Sequence, residues 1–407
     1  MDKNSLLYFI NYGYFIDYDG PTKKIDFSKI DKTKYIGYDL PDLIKNGKNL
    51  LFNAISKTLD SNKEQVVPLS GGLDSRLILV ILSRFMDIKN IKTFTFGLPN
   101  TYDFEIGNKI ASEMGTQHTS FDLTKDVYDW DNLVSRSNFM YNQTYNFYNP
   151  NIELVKDKYK DCIFWSGYIG DLVSGGYHNY SESQNIDDAQ KEFIKKEKII
   201  NSLNIEQPDE DFIRSHMDFN YISNKILPYY VQIFYKLHVE KLTYPNIIFK
   251  GLNFKKPLID ESWFNFISSV EDKYLINQEL YKKILVDIDP KLFSLPCKSN
   301  VGLGLNANKN LVYLKKKYKA SQKLLNKFHP FFFNKYLNYL DFDAAIRERS
   351  DFKLLFSKLL PMIKSRNILE TVNIDEIWDK HQKGYNHSDI LLSLASLEIN
   401  LKQLDKK

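Results

Sequence analysis

The segment Gln65–Arg76 constrains the fold more than any other part of the chain. It begins with the short apolar run Gln-Val-Val-Pro-Leu, which is typical of a buried strand. It continues through Ser-Gly-Gly-Leu-Asp-Ser into an apolar stretch that predicts a helix over Ser75–Met86. Two adjacent glycines let the backbone approach an anion closely, and the first N–H groups of a helix attract negative charge. The segment therefore predicts a strand–loop–helix unit that binds an anionic group such as a phosphate.

Strand-like and helix-like segments alternate along the residues that follow this unit. Strands are predicted at Lys92–Phe96, His118–Phe121 and Cys162–Trp165, and a helix is predicted at Phe104–Met114 with Gly115 at its end. This alternation predicts an α/β fold with a doubly wound, mainly parallel sheet and with helices on both faces. Ligands of such sheets bind outside the carboxyl ends of the strands, which is where the glycine-rich loop lies.

The chain of 407 residues divides into three predicted regions. Residues 1–40 are expected to form a small β-rich segment that packs on the core. The alternating residues behind that expectation are Tyr8, Ile10, Tyr12, Tyr14 and Ile16. Residues 41–300 are expected to form the α/β domain, with a helical insertion at about 185–250. Residues 301–407 are expected to form a helical C-terminal extension.

Charge and cysteine content exclude several classes of protein. The 55 basic and 51 acidic residues give a net charge of +4, too weak and too dispersed for a nucleic-acid-binding surface, so no nucleic-acid partner is expected. Two cysteines, Cys162 and Cys297, are too few for a disulfide framework or a cysteine-based zinc site. The sequence has no run of about 18 apolar residues, so no integral membrane contact is expected. These features predict a soluble, cytoplasmic protein.

Four ordered segments resemble one enzyme family. Ser70–Ser75 resembles the SGGxDS loop of the PP-loop ATP pyrophosphatases, which have an adenine nucleotide alpha-hydrolase-like fold and cleave ATP between the α- and β-phosphates. Ser166–Asp171, with a Gly-Gly-Tyr after it, is similar to the SGxGxDE…GGY segment of the synthetase domain of asparagine synthetase. Lys256–Asp260 resembles the RVPFLD element of that domain, and Leu295–Asn300 resembles its lysine-containing segment.

The resemblance covers roughly residues 40–300 and implies that the protein binds ATP and Mg²⁺. Asp74 would repel a phosphate unless a metal lay between them, so Asp74 and Asp171 are expected to hold Mg²⁺. Lys298 is expected to place a fixed positive charge where negative charge develops. Asp103 lies in an acidic helix start that also resembles the family, where it can serve simply as a cap. The residues expected to contact the nucleotide are Leu69, Ser70, Gly71, Gly72, Asp74, Ser75, Phe96, Gly97, Ser166 and Gly167.

Two departures from asparagine synthetases bear on the substrate. Those enzymes begin with a glutaminase domain whose nucleophilic cysteine directly follows the initiator methionine, whereas Asp2 follows Met1 here. The chain is therefore expected to lack that domain, and a separate glutaminase subunit would have to deliver ammonia from glutamine. Tyr168 stands where asparagine synthetases carry a glutamate and where β-lactam synthetases carry a tyrosine. In the latter the tyrosine pairs with a glutamate and deprotonates an amine, and Glu240 is the candidate partner. The alternatives are that Tyr168 only lines the pocket and that Glu240 is a helix-surface residue.

The function expected from these features is an ATP-dependent, AMP-forming amide ligase. It would adenylate a small-molecule carboxylate, release pyrophosphate and transfer the acyl group to ammonia or an amine. The alternatives are intramolecular amide formation as in β-lactam synthetases, modification of a nucleotide or tRNA by a PP-loop enzyme, and a non-catalytic nucleotide-binding subunit. The joint presence of Ser70, Asp74, Asp171 and Lys298 argues against the last of these.

Overall fold

The structure, a computed structural model, describes residues 2–176, 183–325 and 334–404. Its centre is a sheet of five strands. The strands are β1 (Gln65–Pro68), β2 (Ile91–Gly97), β3 (Gln117–Asp122), β4 (Ile163–Trp165) and β5 (Asn253–Lys255). They lie in the order β3-β2-β1-β4-β5, and every neighbouring pair is parallel. The predicted α/β fold with a parallel sheet is confirmed, and β5 is an edge strand that was not predicted.

The order of the strands creates a crevice beside β1. The chain runs from β1 outward to β2 and β3, and it then returns to the other side of β1 to form β4 and β5. Gln65 of β1 lies opposite both Ile91 of β2 and Ile163 of β4. Because the loops after β1 and β4 leave the sheet in opposite directions, they part at this point and open a ligand-binding crevice.

Helices make up most of the remaining described chain. In the first half they are α1 (Lys3–Tyr12), α2 (Leu40–Ser56), α3 (Asp74–Leu82), α4 (Tyr102–Met114), α5 (Trp130–Phe139), α6 (Ile152–Lys158) and α7 (Ile186–Lys196). In the middle they are α8 (Glu210–Ser215), α9 (Tyr229–Phe234), α10 (Tyr244–Ile247), α11 (Glu261–Ser269), α12 (Asp272–Leu275), α13 (Glu279–Ile288) and α14 (Pro290–Phe293). Towards the C-terminus they are α15 (Lys309–Leu325), α16 (Phe342–Glu348), α17 (Ser350–Arg366), α18 (Ile374–Gln382) and α19 (Ser388–Leu404).

Shorter helical turns complete the described elements. Two are π-helical, at Leu172–Gly176 and Tyr235–Thr243. The 3₁₀ turns are Ile88–Asn90, Pro257–Ile259, Ile276–Gln278 and Lys298–Asn300. None of the helices in the described ranges combines the length and hydrophobicity needed to cross a membrane.

The hydrophobic core has one large and two smaller parts. The largest packs α2, α3, α11 and α13 against one face of the sheet, and the apolar residues Leu77–Leu82 of α3 are completely buried in it. A second part joins α1, α16, α17 and α19, and α19 is buried on all sides over Ile390–Leu401. The smallest part lies on the opposite face of the sheet, where Phe94 and Phe164 contact Val155 of α6. This thinner cover leaves space at the site described below.

The prediction that residues 1–40 are β-rich is wrong. Lys3–Tyr12 forms the helix α1, whose start is capped by Asp2 and whose end is Gly13 in a left-handed conformation (φ 83°). The apolar residues of this segment resemble a strand pattern because α1 is buried on several sides. Tyr8 and Tyr12 enter the large core, while the apolar residues between and before them enter the second part. A helix buried all round has no polar face and therefore no helical period. The bounds of the three predicted regions remain predictions.

Candidate functional site

A cavity of about 670 Å³ occupies the crevice at the carboxyl ends of β1 and β4. Eleven of the predicted site residues line it: Leu69, Ser70, Gly72, Asp74, Ser75, Phe96, Ser166, Gly167, Tyr168, Asp171 and Lys298. Three others do not line it: Gly71, Gly97 and Glu240. The structure therefore brings together residues that lie more than 200 positions apart in the sequence, as Leu69 and Lys298 do.

The glycine-rich loop after β1 is closed by its own serines. The Ser70 hydroxyl accepts a hydrogen bond from Gly72 N (3.2 Å), and Ser70 N donates to the Ser75 hydroxyl (3.4 Å). No side chain in the described structure caps the first turn of α3, which begins at Asp74. Free N–H groups at a helix start, next to two glycines, form an environment that favours a phosphate oxygen.

Glycines in the loop after β4 bring Asp171 against Asp74. A side chain at Gly167 would place its Cβ 2.7 Å from Asp74 Cβ, and one at Gly170 would place it 2.6 Å from Asp74 Cγ. This close approach allows Asp171 N to donate to Asp74 Oδ2 (3.0 Å). The hydroxyl of Tyr281, on α13, donates to Asp74 Oδ1 (2.6 Å). Both oxygens of Asp74 are therefore held in place by donors from the protein.

The two carboxyl groups lie side by side in the cavity wall, where Asp74 is half-buried and Asp171 is exposed at the surface. Burial and the charge of Asp171 raise the pKa of Asp74 to about 7. Reduced hydration in the cavity wall also raises the pKa of Asp171. A carboxylate whose ionised form is disfavoured by a neighbouring carboxylate favours a cation shared between the two.

The donor set fits Mg²⁺. Within the described residues no group of three or more acidic, histidine or cysteine side chains surrounds a common point. Mg²⁺ is commonly bound by one or two carboxylates, with phosphates and water completing its shell. The Asp74–Asp171 pair beside the glycine-rich loop meets that requirement.

Lys298 reaches the site through a short turn next to the glycine-rich loop. Its backbone N donates to Gly71 O (2.8 Å), and its Nζ forms an ion pair with Asp103. Asp103 also accepts a hydrogen bond from Gly71 N (3.0 Å). Asp103 does not cap α4, because the N-cap residue is Thr101. It connects the loop to the lysine instead.

Two β-branched residues adopt left-handed backbone conformations beside these groups. Ile169 (φ 56°) lies between Tyr168 and Asp171, and Val301 (φ 53°) follows the Lys298 turn. Such conformations are unfavourable for β-branched side chains and cluster at functional sites, where the surrounding structure maintains them.

Tyr168 and Glu240 do not hydrogen-bond to each other. The Tyr168 hydroxyl donates to the backbone carbonyl of Val239 (3.2 Å), and its ring is almost fully buried. Burial, and to a smaller degree the charge of Glu240, raise the pKa of the Tyr168 phenol well above its ordinary value. Glu240 lies 3.5 Å from Lys236 Nζ. This geometry favours Tyr168 as a lining residue, and the predicted catalytic dyad remains a prediction.

Several residues at the site were not expected from the sequence. Tyr281 lies within an ordinary helical pattern, and its bond to Asp74 depends on how α13 packs, so no local signal identifies it. Asn338 and Tyr339 reach the cavity from the C-terminal part of the chain. Phe94 on β2 and Phe164 on β4 form an aromatic wall. The alternation of Phe94 with Phe96 along β2 is a period-two signal that predicts a shared face.

Part of the chain is similar in sequence to known proteins. Residues 46–236 match the family model described as asparagine synthase. A protein named putative asparagine synthetase [glutamine-hydrolyzing] 2, from Methanocaldococcus jannaschii, is 28% identical over 184 residues, which cover 42% of this chain and 34% of that protein. An asparagine synthetase [glutamine-hydrolyzing] of Gallus gallus is 22% identical over 221 residues, which cover 50% of this chain and 38% of that protein.

The fold and the site define an α/β protein of the PP-loop type. More particularly, residues 46–236 resemble the synthetase domain of asparagine synthetases. The aligned part spans about a third of the length of these curated relatives. Lys298 lies beyond the residues matched by the family model, and its assignment rests on its position in the cavity.

Proposed function

We propose that the protein is an ATP-dependent, AMP-forming amide ligase of the asparagine synthetase type. The observation that carries this proposal is a single cavity in which a glycine-rich loop, a carboxylate pair and Lys298 face one another. These groups match the three needs of the reaction, which are to hold pyrophosphate, to hold a divalent cation and to neutralise charge at the reacting phosphate.

ATP is proposed to lie across the carboxyl ends of the strands. The N–H groups of Leu73, Asp74 and Ser75, at the start of α3, would bind the β- and γ-phosphates, and the residues around Phe96 and Ser166 would border the adenosine. Asp74 and Asp171 would hold Mg²⁺, which when bound neutralises phosphate charge. Ordered donors that already point at the anion need no reorganisation during the reaction, and this is the main source of catalysis in phosphoryl transfer.

The reaction is proposed to take place in two steps. An oxygen of the substrate carboxylate attacks the α-phosphorus, the bond from that phosphorus to the bridging oxygen breaks, and pyrophosphate leaves with the electron pair. The nitrogen of ammonia or an amine then attacks the acyl carbon, AMP leaves with the oxygen, and the nitrogen loses one proton. Lys298 would stabilise the charge that develops in the first step. Tyr168 with Glu240 is the candidate acceptor of the proton, although the present hydrogen bond to Val239 favours a lining role.

The nitrogen source and location are also proposals. The relatives are named glutamine-hydrolyzing, and we propose that this chain uses ammonia or an amine, which a separate glutaminase subunit supplies if glutamine is the source. Cys162 and Cys297 are both free thiols and both buried, which fits a reducing, cytoplasmic location.

The test is ATP–pyrophosphate exchange with Mg²⁺ across pools of carboxylic acids. Exchange that depends on one acid is expected, with AMP as the product once an amine is added. Asp157→Asn serves as a control for Asp74→Asn, because Asp157 is exposed on α6 and lies outside the cavity lining. Release of ADP and phosphate in place of AMP and pyrophosphate would contradict the proposal.

A further inference from the structure

The helix α15 lies on the outside of the molecule and has no buried residue. One side of it carries an apolar row, the α15 stripe, which consists of Leu311, Leu314, Tyr318 and Leu325. These residues are between 46% and 62% exposed. Their spacings of three, four and seven positions place them on one face of a helix. Single apolar residues are normal on a surface, but an aligned exposed row indicates a binding face.

The opposite face of α15 is turned towards the protein. Lys316 and Lys319 line a second cavity, which opens beside Lys298. Val312 lies on the same side of the helix and is partly covered. At 3.6 residues per turn, Lys316 lies about 160° around the helix from the stripe residue Leu314. The α15 stripe therefore points away from the protein and into the solvent.

The charged residues of α15 are all lysines, and the helix has no acidic residue. The six are Lys309, Lys315, Lys316, Lys317, Lys319 and Lys323. None of them forms an ion pair within the part of the chain that the structure describes. At about 100° per residue, Lys315 and Lys317 lie on either side of the α15 stripe. Lysines in such positions lay their aliphatic stems along an apolar surface while their ammonium groups reach outward to water or phosphates.

These features fit an anionic lipid surface better than another protein. Lysine is depleted at protein interfaces, where arginine is enriched, and α15 has no arginine. A second copy of this chain would bring the same lysines against each other, and facing like charges destabilise an interface. A helix with an apolar row and a lysine-rich polar face is typical of helices that lie in the plane of a membrane surface.

We infer that α15 binds the surface of an anionic membrane. The α15 stripe enters the boundary between headgroups and acyl chains, and Lys315 and Lys317 contact lipid phosphates. The helix lies in the plane of the bilayer and does not span it, so the rest of the chain stays in the aqueous phase. The inference is independent of the proposed function, because the stripe lines neither cavity.

Flotation with lipid vesicles tests the inference without any need for activity. The wild-type chain is mixed with vesicles of phosphatidylcholine and phosphatidylglycerol in equal parts, or of phosphatidylcholine alone. We expect at least about tenfold tighter binding to the anionic vesicles at about 0.1 M salt, and a loss of binding at about 0.5 M, because salt screens the lysine charges. Absence of flotation with the anionic vesicles, or equal binding to both kinds, would overturn the inference.

A leucine variant tests the stripe itself. In Leu311→Gln/Leu314→Gln we expect binding to the anionic vesicles to weaken about 10–100-fold, because less apolar area enters the lipid. Leu154→Gln/Leu354→Gln is the matched control, since it changes two leucines of similar exposure on α6 and α17. This control should float as wild type does. Unchanged flotation of the stripe variant would contradict the inference.

A lysine variant tests the charge beside the stripe. Lys315→Gln/Lys317→Gln should weaken binding to the anionic vesicles about tenfold. Lys156→Gln/Lys158→Gln, an exposed pair with the same spacing on α6, is the control and should leave binding unchanged. Two results would assign α15 to another occupant and overturn the inference. Dimerisation in ultracentrifugation that the leucine variant abolishes would indicate a second copy, and retention on polyglutamate without flotation would indicate an acidic protein.

Discussion

The nucleotide end and the acyl end of the site are built in different ways. At the nucleotide end, the glycines and carboxylates lie in two short segments, one after β1 and one after β4. Hydrogen bonds and close backbone contacts within these segments fix their geometry. At the acyl end, Tyr168 comes from the loop after β4, whereas Lys298 and Tyr339 come from parts of the chain more than 100 residues further on. Local segments of this kind suit a ligand that many enzymes share. Residues drawn from distant parts of the chain can change without disturbing the glycine-rich loop. The proposed function therefore predicts that nucleotide chemistry and substrate choice can be changed separately in this molecule.

The largest effect is expected from Asp74→Asn, at the nucleotide end. We expect exchange to fall by about 10²–10³-fold, because a charge that faces the cation and pyrophosphate is removed. The asparagine can still accept from Asp171 N and pair with Tyr281, so folding should be preserved. Exchange is measured with Asp157→Asn alongside. Near-normal exchange in Asp74→Asn would show that Asp74 is not needed at the nucleotide end, and the two ends of the site could then no longer be distinguished by this residue.

A pH dependence of Mg²⁺ binding is the second expectation. The pKa of Asp74 is raised to about 7, so the cation must displace a proton below that pH. The apparent affinity should therefore rise with pH by up to about tenfold per unit and level off above 7. Titration of the protein with Mg²⁺ by calorimetry at several pH values checks this. A flat profile between pH 5.5 and 8 would show that Asp74 is already ionised at the acid end.

The same shift predicts how the cation-free protein responds to pH. The folded pKa of Asp74 lies above its ordinary value of 3.8, so the folded state holds a proton that the unfolded state has lost. The preference of the folded state for protonated Asp74 stabilises the protein fully below about pH 4. This stabilisation is lost as the pH rises to about 7. With EDTA present, Asp74→Asn should raise the unfolding temperature at pH 8 more than at pH 5. An equal shift at both pH values would contradict the raised pKa.

A smaller effect is expected from Tyr281→Phe. The hydroxyl of Tyr281 stabilises the ionised form of Asp74, so its removal should raise the pKa of Asp74 further and move the Mg²⁺ profile to higher pH. We expect exchange at pH 7 to fall by roughly 3–10-fold and to recover at pH 8.5, since one hydrogen bond is involved. Tyr38→Phe, at an exposed position, is the control. A loss that is equal at both pH values would indicate a packing defect.

The smallest effect is expected from Tyr168→Phe, at the acyl end. Its phenol is protonated and bonded to Val239, so a change of less than about tenfold in product formation is expected. A general base contributes about 10²–10⁴-fold. A loss of that size with exchange intact would establish Tyr168 as a base and favour the β-lactam synthetase-like alternative.

Sequence reasoning succeeded where the determining contacts are local. The strands that flank Ser70 and Ser166 have short apolar runs and glycine-rich ends, so the parallel sheet and the placement of both loops were predictable. It failed for α1, because burial on several sides removed the helical period. It also missed Tyr281 and Tyr339, whose places in the site depend on how distant parts of the chain pack. Tertiary packing of this kind leaves no mark within a window of neighbouring residues.

The contact between Asp103 and Lys298 has a consequence for how the site accepts its ligand. Asp103 serves as an internal counterion, holding both the lysine and the amide of Gly71. Under the proposed function, an incoming phosphate would exchange one anionic partner for another and would not have to assemble a charge network from solvated groups. Nucleotide binding would then be a substitution within a frame that folding has already organised.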